Sequence, residues 1–369
     1  MPKWTSVALT IAKHEDMHLP AFDYTKLSAI NTCPTWGIIR YSLHKTISGA
    51  GRAMALEAGK AMHECFSAVR LVQLGHAQAQ DKPEHMHFHG VRLFGIDKWT
   101  QIMSGWNEKD LSVSLRNMSL ECLATTEYVD DPYDKRRTYT NLETALLYYV
   151  QRWDCNRYPI WIESNDPSRW VGVEIPFAIK VTATCDSGAN NDPTNGCNFG
   201  RSNEVNFLLT GRIDGLHTTQ DRLNLLIQEN KTASRMDEAW QLAFDVSHQP
   251  TGYTVAASLF AQQEVTRGII LGLSLPLPKT LSDGFKILPI NRPSYMKERW
   301  LKWLEHTVTM HNDHVNDPLN APKYGHSCNR YFRPCSFIPL CAGDDDEQRL
   351  IMDEMVTEEW SPLAEKIGD

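Results

Sequence analysis

No stretch of this sequence reaches the roughly 20 uncharged apolar residues of a membrane-crossing helix, so no membrane association is expected. The opening MPKWTSVALTIAKHEDMH breaks into charge too early for a secretory signal, and a cytoplasmic location is the expectation. A basic excess is also missing. The chain carries 37 Lys and Arg against 45 Asp and Glu, a formal net charge of −8, which argues against a protein that coats nucleic acid by bulk electrostatics. It does not exclude a site whose carboxylates are offset by bound cations and whose basic residues are placed locally. The phosphate-cradling loop G-x-x-x-x-G-K-[ST] is absent too, which argues against an intrinsic nucleotide-driven motor. Neither an internal repeat nor a long low-complexity linker divides the chain.

What is present is ordinary globular material, 42% hydrophobic, and its 369 residues suffice for one large α/β domain or two of common size. Residues 24–46 read as a helix, a break at Cys33-Pro34 and a second helix. Residues 53–75 are good helix formers ending at Gly75, with His63 in the middle. From about 85 to 165 the chain is rich in Trp, Tyr and charge, with helical signals near 92–104 and 141–154, and reads as a helical insertion. The period then changes: WVGVEIPFAIKVTA (170–183) alternates as a strand does and carries Glu174. Residues 185–204 are dense in Gly, Asn, Asp and Pro and predict a loop. Two strands follow, 205–219 and 222–234, joined by a turn at Thr219-Gln220-Asp221, then a helical region at 236–265 and an apolar strand at 268–275. The order predicts an α/β core with additions. Four parts result: an N-terminal helical part (1–84), the insertion (85–165), the core (166–320) and a C-terminal cysteine region (321–369).

The chemistry concentrates in GRID (211–214) and QENK (228–231). Asp214 ends one strand, and Glu229 and Lys231 lie two apart on the next, so their side chains share one face of the sheet. Two carboxylates and the backbone carbonyl of Asn230 make an all-oxygen shell suited to Mg²⁺ or Mn²⁺. A lysine beside such a cation can orient or help deprotonate an attacking water, the chemistry of a phosphodiesterase. Taken alone, the same residues also suit a solvated, ion-paired hairpin edge.

GRID-G at 211–215, E-N-K at 229–231, G-x-x-x-H at 59–63 and Q-x-x-x-Y at 249–253 occur in an order that resembles the RecB-like nucleases of the PD-(D/E)XK superfamily. The resemblance implies a restriction-endonuclease-like core, a central mixed sheet flanked by helices. It implies that His63 adds a metal ligand and favours Mn²⁺, and that Gln249 and Tyr253 support the catalytic strand or contact the DNA phosphate. Glu174 is a possible further acidic member. One departure is Pro250 and Gly252 inside the Q-x-x-x-Y segment; a helix capped at Ser247 or His248 would tolerate the proline in its first turn. Without the resemblance, His63 reads as a helix histidine with no metal and Tyr253 as core packing.

Nine cysteines in a chain read as cytoplasmic do not predict a disulfide framework. Cys328, Cys335 and Cys341 cluster as C-x6-C-x5-C, and Cys33 lies far upstream. Four thiolates suit an iron–sulfur cluster if the two ends of the chain meet. Structural Zn²⁺ is the alternative, although tight C-x2-4-C pairs are lacking, and plain burial of unligated thiols is another. One cysteine before the core and three after it is similar to the arrangement in CRISPR-associated RecB-like exonucleases and AddB-type helicase-nucleases, which implies a 4Fe-4S cluster stapling the ends of the chain.

The function expected is therefore a Mg²⁺- or Mn²⁺-dependent DNA exonuclease acting on single-stranded DNA or duplex ends. A DNA-end-binding subunit of a recombination or CRISPR adaptation complex, with a protein partner, is the alternative. His14-Glu15-Asp16-Met17-His18 matches the zinc-protease pattern H-E-x-x-H, though Pro20 follows at once. His85, His87 and His89 alternate as ligands on a strand face would, or belong to a solvated loop.

Overall fold

The computed structural model describes residues 4–47, 54–76, 83–153, 157–185, 204–330 and 333–359. Its elements, in chain order, are β1 (Trp4–Ile11), β2 (Ala21–Phe22), α1 (Tyr24–Thr32), α2 (Pro34–Tyr41), β3 (Lys45–Thr46), α3 (Met54–His76), α4 (Pro83–Phe94), α5 (Ile96–Met103), α6 (Leu111–Thr125) and α7 (Tyr139–Arg152). They continue with β4 (Val173–Cys185), β5 (Glu204–Thr218), β6 (Leu225–Ala233), α8 (Glu238–Ala243), α9 (His248–Ala261), β7 (Arg267–Ser274), β8 (Phe285–Asn291), α10 (Ser294–His314), β9 (Asn329–Arg330), β10 (Arg333–Pro334), α11 (Ile338–Ala342), α12 (Asp345–Glu354) and β11 (Val356–Thr357).

Seven strands form one mixed sheet in the order β1-β4-β5-β6-β7-β8, with β2 added in parallel to β5. β6 and β7 run parallel and the other pairs along that path are antiparallel. Helices cover both faces. On one side α3, α6 and α7 bury Phe66, Val69, Met118, Leu142 and Tyr149 against Ile269, Leu271 and Leu273 of β7. On the other, α1, α9 and α10 bury Leu27, Tyr253, Ala257, Trp300 and Leu304 against Phe177, Phe207, Leu209 and Ile227. Burial on both faces explains why β7 is apolar without alternation and is buried from Gly268 to Ser274. This is an α/β fold with a mixed central sheet flanked by helices.

The break at Cys33-Pro34 falls between α1 and α2, with Pro34 in the first turn of α2, where its missing N–H costs nothing. The insertion is helical, α4 to α7. Residues 1–84 hold more than helices: β1 forms a sheet edge beside β4, and β2 joins β5. The loop expected at 185–204 lies outside the described residues except at its two ends. Two expectations about histidine motifs are corrected. His14–Asp16 is a single 3-10 turn, not a helix, and Asp16 pairs with Lys180 at 2.7 Å, so the zinc-protease geometry does not form. His85, His87 and His89 lie on helix α4, not on a strand or loop, and His85 and His89 are buried.

The two ends of the described chain meet. β3 pairs with β11, the Lys45 ammonium donates to the Met352 carbonyl at 2.8 Å, and the Thr35 hydroxyl donates to the Ala321 carbonyl at 3.1 Å. A small separate core of Ile39, Phe337, Leu340 and Met355 fills the space between them.

Candidate metal site and cysteine cavity

The site grows out of a fork in the sheet. β5 and β6 pair only from Gly215–Gln228 to Thr218–Leu225. Beyond Gly215, β5 stays with β4, and beyond Gln228, β6 stays with β7. The strands part at Asp214 and Glu229. At the split Asp214 Oδ2 accepts the backbone N–H of Asn230 at 2.6 Å, a bond that takes the place of the next ladder rung. Glu174 lies on β4 opposite Asp214, between the paired Val173–Gly215 and Ile175–Ile213. Its backbone has φ +49°, a left-handed conformation that glutamate adopts only under constraint from its surroundings.

Helix α3 crosses over this fork and contributes His63 and Ser67. Among the described residues, His63, Glu174 and Asp214 form the one group of His, Cys, Asp or Glu whose ligating atoms all lie within 4.8 Å of one another. His63 Nδ1 is 3.6 Å from Asp214 Oδ2. The Ser67 hydroxyl, one helical turn after His63, donates to Glu174 Oε1 at 2.8 Å, and Arg212 Nη1 stands 3.8 Å from Glu174 Oε2. Glu229 is 1% exposed; one carboxylate oxygen pairs with Lys231, and the other, Oε2, is buried with no hydrogen-bond partner among the described residues. A buried carboxylate oxygen left unpaired costs free energy that a cation would remove.

Protonation follows the same logic. Burial raises the carboxyl of Glu174 to about 8, with the charge of Asp214 adding to the effect. Burial likewise raises Asp214 to about 6 and Glu229 to about 7, although Lys231 pulls both down. His63 lines the cavity yet is crowded enough that desolvation lowers it to about 4, so the imidazole is neutral and free to bind a cation. Its contact with Asp214 is thus a meeting of two ligand atoms, not an ion pair. Burial works against the Lys231 ammonium, but Glu229 and Asp214 outweigh it and hold its pKa above the ordinary lysine value. The neutral imidazole of His63 and the buried carboxylates of Glu174 and Asp214 form a donor set that could hold a metal ion, with Glu229 close by at the split.

Helix α9 supports the fork. It begins at His248 with Ser247 at its cap position, so Pro250 falls in the first turn, as the sequence required. Lys231 Nζ donates to Gln249 Oε1 at 3.3 Å, and Gln249 Nε2 donates to the Tyr253 hydroxyl at 2.9 Å. The Tyr253 ring packs edge-on against Tyr24 and Phe177, and its hydroxyl accepts from Gln249. Gly252 is required by close packing, because a Cβ there would meet the Tyr24 hydroxyl at 1.4 Å. The Asn230 side chain turns away from the site to accept from Gln228 at 2.6 Å, leaving only its backbone there. The site opens into a cavity of about 530 Å³.

No family model matches the chain, and no curated protein matches it in sequence. The site is therefore judged on its geometry.

Three of its members are under-marked in the sequence. Glu174 stands out only by its strand position, Ser67 only as one turn from His63, and Arg212 only as part of GRID. None of the three belongs to a spaced pattern of its own.

The second site lies where the chain ends meet. Cys33, Cys328, Cys335 and Cys341 all line one cavity of about 260 Å³, together with Trp36 and Phe337. Cys33 sits between α1 and α2, and the backbone N–H of Cys335 donates to the Cys328 carbonyl at 2.7 Å. Burial raises the thiols of Cys335 and Cys341, and the neighbouring cysteines add to it. Four thiols on one cavity are a donor set that either tetrahedral zinc or an iron–sulfur cluster would use.

Proposed function

We propose that the protein is a divalent-metal-dependent deoxyribonuclease of PD-(D/E)XK type that hydrolyses phosphodiester bonds at DNA ends or in single strands, with a 4Fe-4S cluster held by Cys33, Cys328, Cys335 and Cys341. The observation that carries the reading is the fork. It gathers His63, Glu174 and Asp214 within ligand distance and leaves Glu229 Oε2 buried and, among the described residues, unpartnered beside a cationic lysine.

A bound Mg²⁺ or Mn²⁺ would supply Lewis acidity at a phosphate oxygen and lower the pKa of a coordinated water. The chain's own groups do the rest. His63, Glu174 and Asp214 would hold the cation, with Glu229 and the Asn230 backbone beside them at the split. Lys231 stays protonated, so it acts as a hydrogen-bond donor and positive charge toward the attacked phosphate or the attacking water rather than as the resting base. Gln249, fixed by Tyr253, holds Lys231 beside Glu229, and Arg212 adds positive charge beside Glu174.

The test is cleavage of end-labelled DNA with Mg²⁺ or Mn²⁺ by wild type, Asp214→Ala and Lys231→Ala. Cleavage by wild type alone supports the reading. Equal cleavage by all three overturns the site, and DNA binding without cleavage by wild type assigns the chain to positioning DNA ends. For the cysteines, anaerobic purification should yield a coloured, iron-containing protein; a colourless one with stoichiometric zinc overturns the cluster.

A further inference from the structure

The two walls of the cavity differ in kind. The sheet and α3 supply the polar wall, and the helical insertion supplies Leu93, Phe94 and Lys98 opposite. Phe94 is clamped from behind. Its ring lies parallel to Trp99, 5.9 Å between centroids and 5° between planes. Trp99 is fully buried, and its indole N–H donates to His87 Nδ1 at 3.2 Å. Gly90 backs Trp99 so closely that a Cβ there would meet the indole at 2.1 Å. Gly95, at φ +76°, turns the chain from α4 into α5, and a Cβ there would meet nothing within 4 Å, so the elbow opens outward. The front of Phe94 thus borders the cavity while its back cannot yield.

One cation lies over this ring and another shares its cavity. Lys98 Nζ is 5.8 Å from the Phe94 centroid and is paired with Glu64, so a base would displace it toward that carboxylate, whereas Lys60, which also lines the cavity, is exposed and makes no ion pair among the described residues. An aromatic ring in the same cavity as the cation ligands and an unpaired lysine matches the chemistry of a nucleotide: base on the ring, phosphate at the ligands and Lys60. The cavity volume of about 530 Å³ suits one nucleotide and its phosphate, not a paired step with both strands.

We infer that Phe94 is a stacking platform for an unpaired nucleobase of the strand whose phosphate lies at the carboxylates, so that the substrate enters as single-stranded DNA or a frayed end. The inference rests on the nuclease reading above and names a specificity-determining residue for it. A base still paired would first have to be unstacked, which disfavours blunt duplexes. Aromatic stacking of this kind contributes roughly five- to a hundredfold in affinity per base.

The test uses the full chain and a single-stranded oligonucleotide carrying 2-aminopurine at its terminal position, with chelator present so that binding is read without cleavage. Wild type should quench the fluorophore. Phe94→Leu, which keeps an apolar contact on Trp99, should lose the quenching and, with Mg²⁺ or Mn²⁺ restored, raise KM for single strands roughly tenfold, more than it lowers kcat. Phe94→Trp should restore both, and matching thermal melts show that the variants are folded. Quenching without cleavage by wild type upholds the platform and overturns the nuclease reading. Cleavage with quenching and KM unchanged in Phe94→Leu upholds the nuclease and overturns the platform. Blunt duplexes cut as readily as single strands overturn it as well.

Discussion

The fork and the cysteine cavity are assembled by opposite means. The fork sits where the main sheet is covered on both faces, and its strands, α3 and α9 are held by two large apolar clusters that would persist if the site were emptied. The cysteine cavity is held by a core of four buried residues, a two-rung strand pair and a few side-chain hydrogen bonds. One site is preorganised by the polypeptide and strained by its own charges. The other has little apolar area to hold it and depends on what its thiols bind. The comparison yields tests of different size.

The largest effect belongs to the fork. Asp214→Ala removes a carboxylate that faces His63, Glu174 and the Asn230 amide, and cleavage should fall on the order of a thousandfold or more while the fold is kept. Single-turnover cleavage alongside a thermal melt measures both. A variant that unfolds instead would mean that the fork is structural and the contrast between the sites is false.

Next comes the cysteine cavity. Cys335→Ala should lose iron and expose α11, α12 and β11 to proteolysis, while the helices and strands from α3 to α10 stay protected. Fragments mapped by mass spectrometry read this directly. Cooperative unfolding of the whole chain on loss of one cysteine would show that the two regions are a single unit.

How much of this is legible in the sequence depends on the kind of signal. The strands that build the fork are readable because alternation over 170–183 and the apolar residues of 205–219 and 222–234 report burial directly, but Asp214 does not end its strand as the sequence suggests: β5 runs on to Thr218, and Asp214 and Glu229 stand where β5 and β6 part. The cap at Ser247 is readable from Pro250, since proline tolerates only the first turn. Glu174 is legible only as a possible further acidic member, because what makes it part of the site is a left-handed backbone and a register opposite Asp214, both set by neighbours far away in sequence. His85 and His89 mislead for a related reason: an every-second-residue spacing suggests a strand, but on a helix His85 and His89, four apart, share a buried face. The meeting of Cys33 with Cys328, Cys335 and Cys341 needs β3 and β11 to pair, and two-residue strands leave no pattern.

A smaller effect separates the sites by pH. Free glutamate titrates at 4.5 and free aspartate at 3.8, whereas Glu174 is raised to about 8, Glu229 to about 7 and Asp214 to about 6. The folded state therefore holds protons that the unfolded state has released, and the stability tied to them is full below the free values and lost as pH rises through the raised ones. His63 and His217, lowered to about 4 and about 3 from 6.5, act in the opposite direction below pH 6.5. Between pH 6.5 and 8 the carboxylates act alone among these groups. Metal-free protein should melt at a lower temperature as pH rises across that window, and Mn²⁺ should raise the melting temperature most at its upper end. A flat metal-free profile would mean that the carboxylates are not crowded as described.

The smallest effect tests whether charge contributes to the terminal junction. Arg40 Nη2 meets Glu358 Oε2 at 2.9 Å, but the glutamate side chain is 57% exposed, so solvent screens the pair and its contribution is under about 1 kcal/mol. Arg40→Gln should shift the melting temperature slightly and leave the iron content and the proteolytic pattern unchanged. If the junction depended on that pair, the variant would shed iron as Cys335→Ala does. The apolar contacts of Ile39, Phe337 and Leu340 would then be too weak to close the cavity, and ionic strength alone should open it.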